Sequence, residues 1–69
     1  MTLRIDARGQ RCPWPAIRLA RALRETTGPV EMLADDPAAP RELADVAKHA
    51  GAAFLIENEQ GTLLFRCRS

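Results

Sequence analysis

Residues 2–25 read TLRIDARGQRCPWPAIRLARALRE, and a change of hydrophobic period within this stretch decides the fold. Leu3 and Ile5 alternate with polar neighbours, which is typical of a strand that is buried on one face. A short loop follows, and beyond it apolar residues recur at helical spacing, namely Ala16, Leu19, Ala20 and Leu23. The stretch therefore predicts a strand, a loop, and a helix that runs from Pro13 to roughly Glu25.

The same two periods divide the rest of the chain. Strands are predicted at residues 2–6, 30–34, 53–58 and 62–68. A second helix is predicted to begin between Ala38 and Arg41 and to end at Gly51, because glycine suits a left-handed cap. Gln60 and Gly61 mark a turn between the last two strands.

We therefore predict one domain over residues 1–69 with the element order β-α-β-α-β-β. The helical connection between the first two strands requires parallel pairing with a right-handed crossover, and the short turn makes the last two an antiparallel hairpin. The predicted fold class is α/β (α+β), a two-layer sandwich with two helices on one face of a four-stranded mixed sheet. The other face is open unless a partner or a second copy covers it.

Length and charge exclude several classes of function. The 69 residues carry ten Lys and Arg, nine Asp and Glu, and a net charge of +1, so general attraction to nucleic acid or membranes is not expected. A chain of this size does not enclose a pocket of the ~300–1,000 Å³ that small molecules occupy, which favours surface chemistry with a partner protein. No apolar run approaches the roughly 18 residues of a membrane span and no signal peptide is recognisable, so we expect a cytoplasmic protein.

A thiol lies at the most distinctive point of the sequence. Residues 9–15, GQRCPWP, place Cys12 where the loop enters the first helix, at the predicted N-cap. We expect the helix dipole, together with the Arg8 and Arg11 guanidinium groups, to lower the pKa of Cys12 and supply some thiolate at neutral pH. The alternative is a small apolar residue tucked against the sheet, which the polar surroundings disfavour.

Four neighbours are predicted to support this thiol. Gly9 and Arg11 belong to the loop, whereas Pro13 and Pro15 stiffen the first helical turn and hold the sulfur on a rigid ledge. The side of the helix opposite the apolar stripe carries Trp14, Arg18 and Arg21, which together with Arg8 of the loop form a predicted docking patch for a partner protein. The alternative is that the indole of the tryptophan folds back over the loop.

The other candidate residues receive structural interpretations. We expect Asp6 to pair with the backbone or a nearby arginine, Cys67 to lie in the core, and His49 to meet the last carbonyls of the second helix. Asp35 and Asp36 are interpreted as a cap of that helix. No metal site and no cofactor are predicted, since neither a ligand cluster nor a phosphate-binding loop is visible.

The motif IDxxGxxCPxP over residues 5–15, together with Asp36-Pro37, resembles the TusA/SirA-type sulfur-carrier family over essentially the whole chain. The resemblance implies that Cys12 accepts sulfur as a persulfide from a cysteine desulfurase or a rhodanese-like donor. It also implies that the sulfur passes to an acceptor protein in tRNA thiolation, molybdenum-cofactor synthesis or sulfur oxidation. Such a chain acts as a stoichiometric relay, with no cofactor beyond the covalent sulfur.

Three positions depart from the family pattern. Gln10 stands where an aliphatic residue is usual, Glu42 replaces an expected Asp, and Ala52 stands where many members have His. Two other functions are alternatives: an RNA- or DNA-binding or regulatory interaction module that uses the open sheet, and a soft-metal chaperone that uses Cys12. A single thiolate is a poor site for copper or zinc, and the sheet offers few aromatic residues for stacking.

Overall fold

A computed structural model describes residues 2–68. Its elements in chain order are β1 (Leu3–Asp6), α1 (Trp14–Glu25), β2 (Val30–Ala34), α2 (Ala39–His49), β3 (Ala53–Glu59) and β4 (Thr62–Arg68). The strands lie in the order β1-β2-β4-β3; β1 runs parallel to β2, and β4 is antiparallel to both of its neighbours. The predicted four-stranded mixed sheet with two helices is confirmed.

The hydrophobic core lies between the two helices and one face of the sheet. Alternation along β2 turns Val30, Met32 and Ala34 towards the helices. The largest buried side chains around them are Phe65, Leu19, Leu43 and Cys67. Cys67 is 1% exposed, so its predicted place in the core is confirmed.

Charged side chains of the chain itself lie over the central part of the opposite face of the sheet, whereas Leu55 on the same face is 63% exposed. The ion pairs on this face are Arg4–Glu59 (3.0 Å), Arg4–Glu31 (3.5 Å), Arg66–Glu31 (3.1 Å) and Arg66–Glu57 (3.0 Å). The first of these links β1 to β3 and passes over Leu33 and Leu64, which are cross-strand neighbours and only 8% and 1% exposed. This face, predicted to stand open unless a partner covers it, thus shields its central leucines with long charged side chains.

The ends of the elements agree with the sequence prediction to within one or two residues, and the start of α1 differs in its cap. The helix begins at Trp14, and Pro13 rather than Cys12 occupies the N-cap. The reason is a preceding turn in which the Trp14 N–H donates to the Arg11 carbonyl at 2.9 Å. At the other end of the fold, Gln60 (φ 52°) and Gly61 (φ 85°) form the predicted turn. In the stretch from residue 2 to residue 68, no helix is long and apolar enough to cross a membrane.

Candidate functional site

Cys12 lies at the protein surface in the loop that joins β1 to α1. Its side chain is exposed and its sulfur is a free thiol. Pro13 follows at the N-cap through a cis peptide bond, and Pro15 is buried in the first turn of the helix. The structure therefore places the thiol immediately before the helix, on the solvent side, where another protein can reach it.

Two aspartates from the loop between β2 and α2 hold the Cys12 loop in place. The Gly9 N–H donates to Asp35 Oδ1 at 2.9 Å, and the Cys12 N–H donates to Asp36 Oδ2 at 2.6 Å. The other Asp36 oxygen accepts the Ala38 N–H at 2.8 Å. The N–H groups of Ala38 and Cys12, together with the Arg11 charge, lower the pKa of Asp36.

This arrangement corrects the interpretation of the aspartates as helix caps. The N-cap of α2 is Ala38, which has no side-chain cap, although Asp36 does bind its N–H just before the helix. The main partners of the pair are in the Cys12 loop, about 25 residues away along the chain. Gly9 also has a conformational reason to be there, since its φ of +82° lies in the region that L-residues rarely adopt.

A second set of polar contacts fixes the base of the loop. Arg18 Nη1 donates to the Asp6 carbonyl at 3.2 Å and to Gln10 Oε1 at 3.1 Å. Arg8 forms an ion pair with Asp6 at 2.7 Å and also donates its backbone N–H, and these bonds lower the pKa of Asp6 to about 2. The structural interpretation of Asp6 is confirmed. Gln10 is joined to the first helix by its hydrogen bond with Arg18.

The residues of the predicted docking patch occupy different environments. Trp14 is 60% exposed, which favours the docking interpretation over the alternative that its indole folds back over the loop. Arg21 is exposed and pairs with Glu25 at 3.3 Å, whereas Arg8 and Arg18 are engaged by the loop contacts described above. Ile17, which the sequence analysis did not single out, is 50% exposed. The sequence distinguishes this residue only as an apolar side chain that lies outside the apolar stripe of the helix.

The closest side-chain contact of the thiol is a carboxylate from α2. Cys12 Sγ lies 2.7 Å from Glu42 Oε2, to which it donates its proton in a hydrogen bond. This hydrogen bond, desolvation, and the negative charges of Glu42 and Asp36 raise the pKa of Cys12. The expectation that the helix dipole, Arg8 and Arg11 lower this pKa is therefore wrong. The physical reason is that Arg8 is neutralised by Asp6, while a carboxylate favours the thiol over the thiolate.

The remaining candidates lie away from this chemistry. Burial raises the pKa of Cys67. His49 Nδ1 is 2.8 Å from the Asp45 carbonyl, as expected for a histidine at a helix end. Across residues 2–68, no group of three or more His, Cys, Asp or Glu is arranged to hold a metal ion. Phe65 is fully buried and stacks on Phe54, with the two ring centroids 5.9 Å apart. These rings therefore pack against each other on the core side of the sheet.

Comparison with known proteins agrees with this geometry. The family described as Sulfurtransferase TusA matches residues 3–68. The chain is similar to the crystal structure of a SirA-like protein from Desulfitobacterium hafniense, with 32% identity and a TM-score of 0.85 over 97% of this chain and 95% of that chain. No curated protein matches the sequence. With a family match over nearly its whole length and the same fold as a SirA-like protein, the chain belongs to the TusA sulfurtransferase family of sulfur carriers.

Proposed function

We propose that this protein carries sulfur as a persulfide on Cys12. The observation that carries the proposal is an exposed thiol in a loop held by Asp35 and Asp36, in a chain that matches the TusA family from residue 3 to residue 68. The second cysteine, Cys67, is buried, which leaves Cys12 as the accessible thiol of the two. An exposed thiol suits an exchange in which the other protein supplies the rest of the active site.

The proposed step is a thiol–persulfide exchange. The Cys12 sulfur attacks the outer sulfur of a donor persulfide, and a new S–S bond forms while the donor's own S–S bond breaks. The electron pair of the broken bond leaves with the donor cysteine, which takes up the proton that Cys12 loses. Delivery repeats the exchange with an acceptor cysteine, so no external oxidant, reductant or cofactor is required.

The proposed partners are a donor and an acceptor protein. The donor is a cysteine desulfurase or a rhodanese-like protein, and the acceptor leads to tRNA thiolation, a molybdenum cofactor or sulfur oxidation. The cytoplasm is the proposed compartment, because its reducing conditions keep surface thiols free. Each chain carries one sulfur per cycle, so turnover belongs to the partners.

The proposed docking surface lies beside the thiol on α1. Trp14 and Ile17 are 60% and 50% exposed, and the exposed Arg21 lies on the same helix. Exposed aromatic residues are common anchors of protein interfaces. Arg8 and Arg18 contribute by holding the loop through their bonds to Asp6 and Gln10.

The proposal is tested by intact mass after incubation with a cysteine desulfurase and cysteine. Wild type and Cys67→Ser gain one sulfur atom, whereas Cys12→Ser gains none. Trp14→Ala gains sulfur more slowly, because it lacks the indole but keeps the thiol and its loop. Absence of any gain on wild type with both desulfurase and rhodanese donors contradicts the carrier proposal. An unchanged rate for Trp14→Ala contradicts only the docking surface.

A further inference from the structure

We propose that Glu42 is a positioning residue that holds the Cys12 thiol in its neutral form and so restrains its reaction with small electrophiles in the free carrier. The geometry behind this is the 2.7 Å contact between Cys12 Sγ and Glu42 Oε2. Glu42 is half-buried in the first turn of α2, which fixes the carboxylate on a rigid element. The inference gains its biological meaning from the proposed carrier function but concerns a contact that exists without it.

The charged groups around the sulfur come from three elements. Helix α2 contributes Glu42, and the loop before it contributes Asp36, which binds the Cys12 backbone N–H at 2.6 Å. The loop of Cys12 itself contributes Arg11, whose charge acts on Asp36. Arg8 is bound by both oxygens of Asp6. The thiol therefore faces two carboxylates, and only one of them accepts its proton.

A carboxylate in contact with a thiol has opposite effects on its two protonation states. It accepts a hydrogen bond from the neutral thiol, and it repels the thiolate, which has no proton to donate. Since the thiolate is the nucleophile, the contact lowers the fraction of Cys12 that reacts at neutral pH. The hydrogen bond to Glu42 is the largest cause of the raised pKa of Cys12.

The test is the rate of Cys12 alkylation by iodoacetamide as a function of pH, followed by mass spectrometry of the peptide that contains Cys12. Glu42→Gln keeps the side-chain shape and removes the charge. We expect it to react at least about threefold faster than wild type at pH 7, with its midpoint at lower pH and the two rates converging at high pH. Glu42→Asp keeps the carboxylate, so its profile moves back towards wild type.

Asp45→Asn is the matched control, because it makes the same charge change on α2 at an exposed residue that pairs with His49 rather than with the thiol. We expect its profile to overlay that of wild type. A Glu42→Gln profile that coincides with wild type overturns the inference. So does an equal shift in Asp45→Asn, since the effect would then come from net charge rather than from the contact.

The same samples separate this inference from the proposed function. Sulfur loading on wild type, measured by intact mass, reports on the carrier proposal alone. If wild type takes up no sulfur but Glu42→Gln shifts the alkylation profile, the restraint stands and the carrier function fails. If wild type takes up sulfur and the profiles coincide, the carrier function stands and the restraint fails.

Discussion

The two cysteines of this protein have raised pKa values for different reasons. Cys67 lies in the core at 1% exposure, and burial alone disfavours its thiolate. Cys12 is exposed, and a hydrogen bond to Glu42 is the largest cause of its raised pKa. A shift caused by burial persists as long as the fold does, whereas the part of the Cys12 shift that comes from Glu42 ends when that contact is broken. Only a pKa shift that comes from a surface contact allows the reactivity of a thiol to be lowered and then restored.

The largest expected difference between the two cysteines is in access. Under native conditions we expect iodoacetamide to label Cys12 at least about 10³-fold faster than Cys67, because a core thiol reacts only after the structure opens. Labelling followed by peptide mass spectrometry gives both rates in one sample. In a denaturant that unfolds the chain, the two rates become similar. Comparable rates in the native protein would show that the β4 side of the core opens easily.

A second difference is expected in stability. Cys67→Ser replaces a core thiol with a hydroxyl that needs a hydrogen-bond partner, and it should lower the free energy of unfolding by about 1–3 kcal/mol. Cys12→Ser changes an exposed side chain and should leave the urea midpoint nearly unchanged. Urea denaturation followed by circular dichroism measures both. Equal losses in the two variants would mean that the Cys12 loop contributes to the core more than its exposure indicates.

The smallest expected effect concerns the loop that presents Cys12. The pKa of Asp36 is lowered in the folded protein, so its contribution to stability is present above its ordinary pKa and is lost as pH falls through the lower folded value. Acidification should therefore loosen the loop before it affects the core. Hydrogen exchange at the Cys12 amide should become severalfold faster in Asp36→Asn at neutral pH, as Asn is a weaker acceptor than a carboxylate.

Amides on β2 and β4 provide the internal control for this experiment. Their exchange in Asp36→Asn should match that of wild type, because the ladder between these strands does not involve the loop. If the Cys12 amide exchanges at the wild-type rate in the variant, the aspartate does not hold the loop. The contrast between the two cysteines would then rest on Glu42 alone.

Most of the fold could be predicted from local patterns. A period of two residues in Leu3 and Ile5 and a helical period beginning near Pro13 predicted β1 and α1 to within one or two residues. Gln60 and Gly61, both with positive φ, occupy the turn that the sequence indicated. These features depend on neighbouring residues, so they can be read without knowledge of the rest of the chain. The N-cap of α1 was wrong by one residue, because a turn closed by Arg11 and Trp14 precedes it.

The sequence by itself determined the order of elements and the exposed position of Cys12, because periodicity and turns are local properties. The tertiary structure decided the electrostatics of the thiol. Glu42 lies 30 positions from Cys12 in the chain, and Asp36 lies 24 positions away, yet both contact its residue. Neighbouring arginines suggested a lowered pKa, but charge acts through distance in space. Packing of α2 beside α1 brought the Glu42 carboxylate into contact with the sulfur, and this reversed the sign of the effect.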